Sequence, residues 1–134
     1  MTYLVDTCVW LEELLVQEKI PDVDEFFDKV NPQLVHITDF SLHSIGVILS
    51  RLKKYELYED FLSDTIIDSG VKTLSLGALD LKQVLFNERK FKLDFDDAYQ
   101  YTAAEKFNLT IISFDQDFDR TERGRKTPGQ ISEG

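Results

Sequence analysis

Apolar and polar residues along this chain fall into alternating blocks: short continuous apolar runs, then longer stretches with apolar positions three and four apart. Runs of the first kind suit strands buried on both faces, and stripes of the second suit amphipathic helices. Tyr3-Leu4-Val5 reads as a strand ending at Asp6, and Val9-Trp10-Leu11 with Leu14-Leu15 reads as the helix after it. Pro21 interrupts the pattern, and Val23, Phe26, Phe27 and Val30 resume a helical stripe as far as Asn31-Pro32. A second strand is predicted over Leu34 to Ile37. Thr38 or Asp39 then caps a helix carrying Leu42, Ile45, Leu49 and Leu52. Leu57, Tyr58, Phe61, Leu62 and Ile66 mark a further helical stretch that Gly70 stops, and Val71 to Leu74 reads as a third strand. Ala78, Leu81, Val84 and Leu85 predict the next helix, and Ala98, Tyr101, Thr102 and Glu105 another. Leu109 to Ile112 is the clearest buried strand.

Strands alternating with helices predict a mostly parallel sheet covered on both faces, a three-layer α/β/α sandwich. With 134 residues, 43% of them hydrophobic, the chain suits one domain over residues 1–120, followed by a polar, flexible tail over 121–134 that contains Gly124, Pro128, Gly129 and Gly134. Trp10, Phe26, Phe27, Tyr101 and Phe107 sit at helical spacings and are assigned to packing.

The net charge of −10 repels nucleic acid and anionic membranes as a whole, so any RNA has to be held locally. The single cysteine, Cys8, cannot close an internal disulfide, the first residues lack a secretory pattern, and no apolar run spans a bilayer; the expectation is a cytoplasmic protein with no membrane partner. Three carboxylate blocks stand at the edges of apolar runs: Asp6, the group Asp94-Asp96-Asp97, and Asp115 with Asp117. In an open α/β sheet such edges converge on the crevice beyond the carboxyl ends of the strands, and carboxylates crowded there commonly share a hard cation such as Mg²⁺ or Mn²⁺. Asp94 and Asp96 are equally well explained as helix-start residues. A phosphatase-like Asp-x-Asp is incomplete at Asp6-Thr7-Cys8, a receiver-type phosphoacceptor is replaced by Ser75, and no glycine-rich loop precedes a Lys-Ser or Lys-Thr pair.

Leu4-Val5-Asp6-Thr7-Cys8-Val9-Trp10-Leu11, the Asp97-Ala98-Tyr99-Gln100 helix start and Ser113-Phe114-Asp115-Gln116-Asp117-Phe118 together resemble the three best-marked blocks of the PIN domain, in that family's order and over nearly the whole chain. Small members of the VapC type are toxin ribonucleases. The resemblance therefore implies a metal-dependent endoribonuclease acting on RNA, paired with a cognate antitoxin and assembled as a homodimer. It further implies that Asp6, Asp97 and Asp115 are the catalytic, metal-binding acids, with Asp117 as an additional ligand and Ser113 supporting the last acid. Two positions depart from the pattern: Cys8 stands where the family has Asn, and Ser44 where it has Glu. Asp39 and His43, four apart on one helix face, are the candidates to replace that acid. The alternative is a catalytically weak or inactive PIN-like module that binds RNA or protein. Arg120, Arg123, Arg125 and Lys126 read as the only basic cluster; Arg120 and Arg123 are candidates to hold substrate phosphate, against the plainer reading of a solvated tail.

Overall fold

The computed structural model describes residues 1–131. Four strands, β1 (Tyr3–Val5), β2 (Val35–Thr38), β3 (Lys72–Leu74) and β4 (Thr110–Ile112), form a wholly parallel sheet in the order β3-β2-β1-β4. Six helices connect them: α1 (Thr7–Leu15), α2 (Ile20–Lys29), α3 (Asp39–Arg51), α4 (Tyr55–Asp60), α5 (Ala78–Phe91) and α6 (Phe95–Phe107). Helix α4 runs on into a wider, π-helical stretch over Phe61–Asp68, where the apolar positions Leu57, Phe61, Leu62 and Ile66 stay on one side. The second strand lies one residue later than its apolar run suggests, because Pro32–Leu34 forms a 3₁₀ turn capped by the Asn31 side chain.

Alternation within the strands divides the core in two. Tyr3 and Val5 of β1, Val35 and Ile37 of β2 and Ile112 of β4 meet Val9 and Trp10 of α1, Val23 and Phe26 of α2, and Ile45 and Leu49 of α3. Leu4 and Ile111 point to the opposite face, against Val84 and Phe91 of α5 and Ala98, Tyr101 and Ala104 of α6. This is the three-layer arrangement expected. Trp10, Phe26 and Tyr101 are buried as foreseen, but Phe107, in the last turn of α6, is 41% exposed.

The flexible tail expected from residue 121 onward is not found over 121–131; residues 132–134 lie outside the described part of the chain. Lys126 pairs with Ile112 as a parallel bridge, with its amide donating to the Ile111 carbonyl at 2.9 Å and its carbonyl accepting from the Ser113 amide at 3.0 Å. A final 3₁₀ turn, Pro128–Gln130, lies against α2, and Ile131 closes the first core. Gly129 keeps this approach open, since a Cβ there would stand 2.9 Å from an Asp22 carboxylate oxygen and push that exposed side chain aside. Polar composition predicts exposure, yet here a few apolar anchors and paired backbone groups hold the segment down.

The chain steps outward from β1 through β2 to β3, then returns to place β4 on the other side of β1. Connections therefore diverge above the β1/β4 pair, and the crevice beyond the carboxyl ends of these two strands is where such sheets receive ligands. Asp6 follows β1 directly, and Ser113 follows β4.

Candidate metal centre

Asp6 leaves β1 in extended conformation and caps α1. It is 7% exposed, and four donors engage its two oxygens. Oδ1 accepts from the Thr7 amide and from Gln100 Nε2, each at 2.9 Å; Oδ2 accepts from Ser113 Oγ at 2.7 Å and from the Cys8 thiol at 3.7 Å. A carboxylate offers about four lone-pair sites, so this one is held fast and fully occupied. The Cys8 thiol is pushed up to about 11 by its burial and by the adjacent Asp6 charge. Thus, Cys8 acts here as a neutral donor, in the place where a more strongly donating side chain would serve better.

The β4 side is built by a tight turn. Ser113 Oγ donates to Asp6 and accepts from the Asp115 amide at 3.0 Å, and Asp115 Oδ1 in turn caps the following 3₁₀ turn by accepting from the Asp117 amide at 2.8 Å. Arg125 steadies the same turn from behind: Nη1 donates to the Ser113 carbonyl at 3.2 Å and Nη2 to Asp119 at 3.1 Å, with the side chain 14% exposed. On the third side, Asp97 lies in the first turn of α6, half-buried.

Asp97, Asp115 and Asp117 converge: one carboxylate oxygen from each lies within 4.8 Å of the others. Asp97 is raised to about 8, first by burial, then by a carboxyl–carboxylate hydrogen bond to Asp115 and by the charges of Asp115, Asp6 and Asp117. Three carboxylates that cannot all ionise comfortably make a donor set suited to a hard divalent cation. Asp6 lines the same crevice as Asp97 and Asp115. A crevice of about 460 Å³ opens over Asp6, Asp97 and Asp115, walled by Leu11, Phe40, Val47 and Ile48.

The remaining expected residues divide clearly. His43 and Ser44 both line the crevice, whereas Asp39 does not: it is exposed and accepts from the Tyr99 hydroxyl at 2.7 Å and the Phe40 amide at 2.8 Å. Asp96 also lines the crevice. Arg120 ties the tail to the end of α5, through the Phe91 and Lys92 carbonyls at 3.1 and 2.6 Å, and pairs with Asp117 at 2.9 Å. Arg123 donates to Asn108 and to the Leu109 carbonyl. Neither arginine lines the crevice: Arg120 is engaged with the Phe91 and Lys92 carbonyls and with Asp117, and Arg123 with the Asn108 side chain and the Leu109 carbonyl.

Sequence reasoning missed Gln100. This buried amide donates to Asp6 and, at 2.8 Å, to Ser41 Oγ, while its carbonyl accepts from Thr38 Oγ1 at 2.7 Å. It thereby joins the ends of β1 and β2 to α3 and α6. Its signal is a long polar side chain, a helical turn beyond Asp97, inside the buried stretch Ala98 to Ala104.

A parallel four-stranded sheet with acids gathered at the β1/β4 switch point defines the class: an α/β protein with a carboxylate-rich centre of the kind that holds divalent metal. The family model of the PIN domain matches residues 3–124, and the chain belongs to that family. Among solved structures, a toxin–antitoxin complex from Klebsiella pneumoniae is 20% identical, with a TM-score of 0.76 over 97% of this chain and 100% of that one. FitAcB from Neisseria gonorrhoeae is 18% identical, with a TM-score of 0.76 over 97% and 100%. VapC20 from Mycobacterium tuberculosis, described as a sarcin–ricin loop cleaving toxin, is 17% identical, with a TM-score of 0.73 over 88% and 93%. At these identities the likeness is one of fold. A search of curated protein sequences finds no significant match.

Proposed function

We propose that this chain is a divalent-metal-dependent endoribonuclease, the toxin of a toxin–antitoxin pair, acting in the cytoplasm as a homodimer. The observation that carries the reading is the convergence of Asp97, Asp115 and Asp117 within 4.8 Å beside the immobilised Asp6. Membership of the PIN domain family and the toxin–antitoxin neighbours support the substrate class and the antitoxin partner. Among the described residues no helix is long and apolar enough to cross a membrane.

The donor set fits Mg²⁺ or Mn²⁺, since it consists of carboxylate oxygens alone and one of them, on Asp97, is held protonated by its crowding. The ion would be held by Asp97, Asp115 and Asp117, with Asp6 adjoining. Such an ion lowers the pKa of a coordinated water and offsets charge developing on the phosphoryl oxygens. To hold such an ion, Asp97 would have to give up the proton that burial and its neighbouring acids favour. Ser113 and Gln100 keep Asp6 in one orientation, and the Asp115 turn is locked by Ser113 and Arg125. Cys8, with its thiol at about 11, is no nucleophile at neutral pH, so the attacking group is water. Leu11, Phe40, Val47 and Ile48 limit the water around the reacting phosphate.

Ser44 favours a second reading, a PIN module with little or no cleavage activity, because it lines the crevice without supplying a carboxylate. One assay separates the two. Purified protein is incubated with a labelled single-stranded RNA in Mn²⁺, and again in excess EDTA. Cleavage in Mn²⁺ alone is expected; cleavage undiminished by EDTA removes metal from the account, and Mn²⁺ binding without cleavage favours the second reading.

A further inference from the structure

The acidic crevice repels the polyanion it is proposed to cut, and among the described residues no lysine or arginine lines it. Arg120, Arg123 and Arg125 are engaged with backbone carbonyls elsewhere. The cations that hold substrate have to stand next to the crevice instead. A second groove of about 430 Å³ adjoins it, sharing His43 and Val47 as common lining. Its far end is formed by Ser50, at the end of α3, and Tyr55, at the start of α4. The turn that joins those two residues carries Arg51, Lys53 and Lys54, all exposed, and none takes part in an ion pair among the described residues. This basic group was overlooked in the sequence, where Glu56, Glu59 and Asp60 just beyond it cancel its charge.

The groove is firmly built. The Tyr58 ring lies against α3 where Gly46 leaves room for it, since a Cβ at Gly46 would come within 2.9 Å of that ring. The Tyr58 hydroxyl donates to the Leu42 carbonyl, which fixes the wall. Tyr55, by contrast, is 57% exposed at the groove's edge.

We infer that this groove is a subsite for single-stranded RNA, which receives the nucleotides flanking the scissile phosphate. The inference rests on the ribonuclease reading above. A base stacks on Tyr55, phosphates lie along Arg51, Lys53 and Lys54, and the chain passes His43 and Val47 into the acidic crevice. Glu59, on the groove wall, repels phosphate and offers an acceptor to base amino groups, so phosphates are confined to the α3–α4 turn. Aromatic stacking beside exposed cations is the general chemistry of sequence-tolerant single-strand binding.

The test measures cleavage of a fluorescein-labelled RNA 12-mer in Mn²⁺ by the full-length parent, Tyr55→Ala, Tyr55→Trp and the triple variant Arg51→Gln/Lys53→Gln/Lys54→Gln. Melting curves and Mn²⁺ titrations run alongside. Tyr55→Ala is expected to raise KM about tenfold, the loss of one stacked base, while Tyr55→Trp retains the parental KM. The triple variant should lower the salt dependence of log KM by about 2, at about 0.7 per phosphate contact on a single strand. Melting temperature and Mn²⁺ affinity stay at the parental values. Unchanged KM and salt dependence in these variants, with a cleaving parent, overturn the subsite alone. Unchanged KM together with a shift of Tyr55→Ala to a smaller species in sedimentation overturns it in favour of a protein interface. A parent that neither cleaves nor binds the 12-mer overturns the ribonuclease reading and the subsite with it.

Discussion

Substituting Asp97→Asn should stabilise the metal-free protein, by an amount that grows as pH rises from 4 to 8. The folded value of about 8 lies above the ordinary 3.8, so the metal-free fold binds a proton that the unfolded chain has released between those two values. For this group, stability is therefore greatest below pH 4 and declines as pH rises toward 8. Full conversion at about 1.4 kcal/mol per unit would overstate the cost, because water reaches half of this carboxyl; discounting by about two-thirds for screening leaves roughly 2 kcal/mol. At about 2.1 cal/mol/K of unfolding entropy per residue, that corresponds to about 7 °C in melting temperature. Asparagine keeps the shape and removes the charge. Calorimetric or circular-dichroism melts of both proteins in EDTA should thus diverge by about 7 °C at pH 8 and converge at pH 4. In Mn²⁺ at about 100 times its Kd the order reverses, because the parent gains about 2.7 kcal/mol by binding and the variant does not. Parallel melting temperatures across that pH range would show that the crowding at Asp97 carries no cost to the fold.

Three further outcomes follow from the hydrogen bonds. Gln100→Leu removes a bond to a carboxylate and two to hydroxyls, and should cost about 3 kcal/mol in denaturant melts; a loss below about 1 kcal/mol would mean that the amide is not the hub described. Arg125→Met should lower Mn²⁺ affinity about tenfold in a titration, with Arg125→Lys partly restoring it, because the Ser113 carbonyl loses its anchor; unaltered affinity would show that the turn holds itself. Ser44→Glu should strengthen Mn²⁺ binding, while Asp39→Asn leaves it unchanged, since Ser44 lines the crevice and Asp39 is engaged with Tyr99; the opposite pair of results would move the replacement acid to Asp39.

The sheet was legible in the sequence, because strands buried on both faces leave unbroken apolar runs such as Tyr3 to Val5 and Leu109 to Ile112, and the acids that follow them mark the crevice. The three acidic blocks could be placed at one crevice from their positions at strand and helix ends, while the choice of Asp97 within its block rested on the resemblance to the PIN domain. How they share the work there was not legible. That Asp97, Asp115 and Asp117 form the close trio, with Asp6 saturated by donors, depends on side-chain directions set by the Ser113 turn and by Gln100. Gln100 escaped notice because its partners lie 59 to 94 residues away. The end of the chain misled for a related reason. Its order comes from pairing with β4 and from Ile131 entering a core assembled mostly from the first half of the molecule, and neither leaves a local pattern.

Ser113 donates to an Asp6 oxygen across 107 residues of chain, and the turn that carries Ser113 is braced by Arg125 and Lys126. The centre therefore cannot be completed before vectorial synthesis has passed Lys126. A polypeptide that has emerged only as far as α6 holds Asp6 and Asp97 but no partner for either on the β4 side. Under the proposed ribonuclease reading, chains that stop before Ser113 should consequently lack cleavage activity.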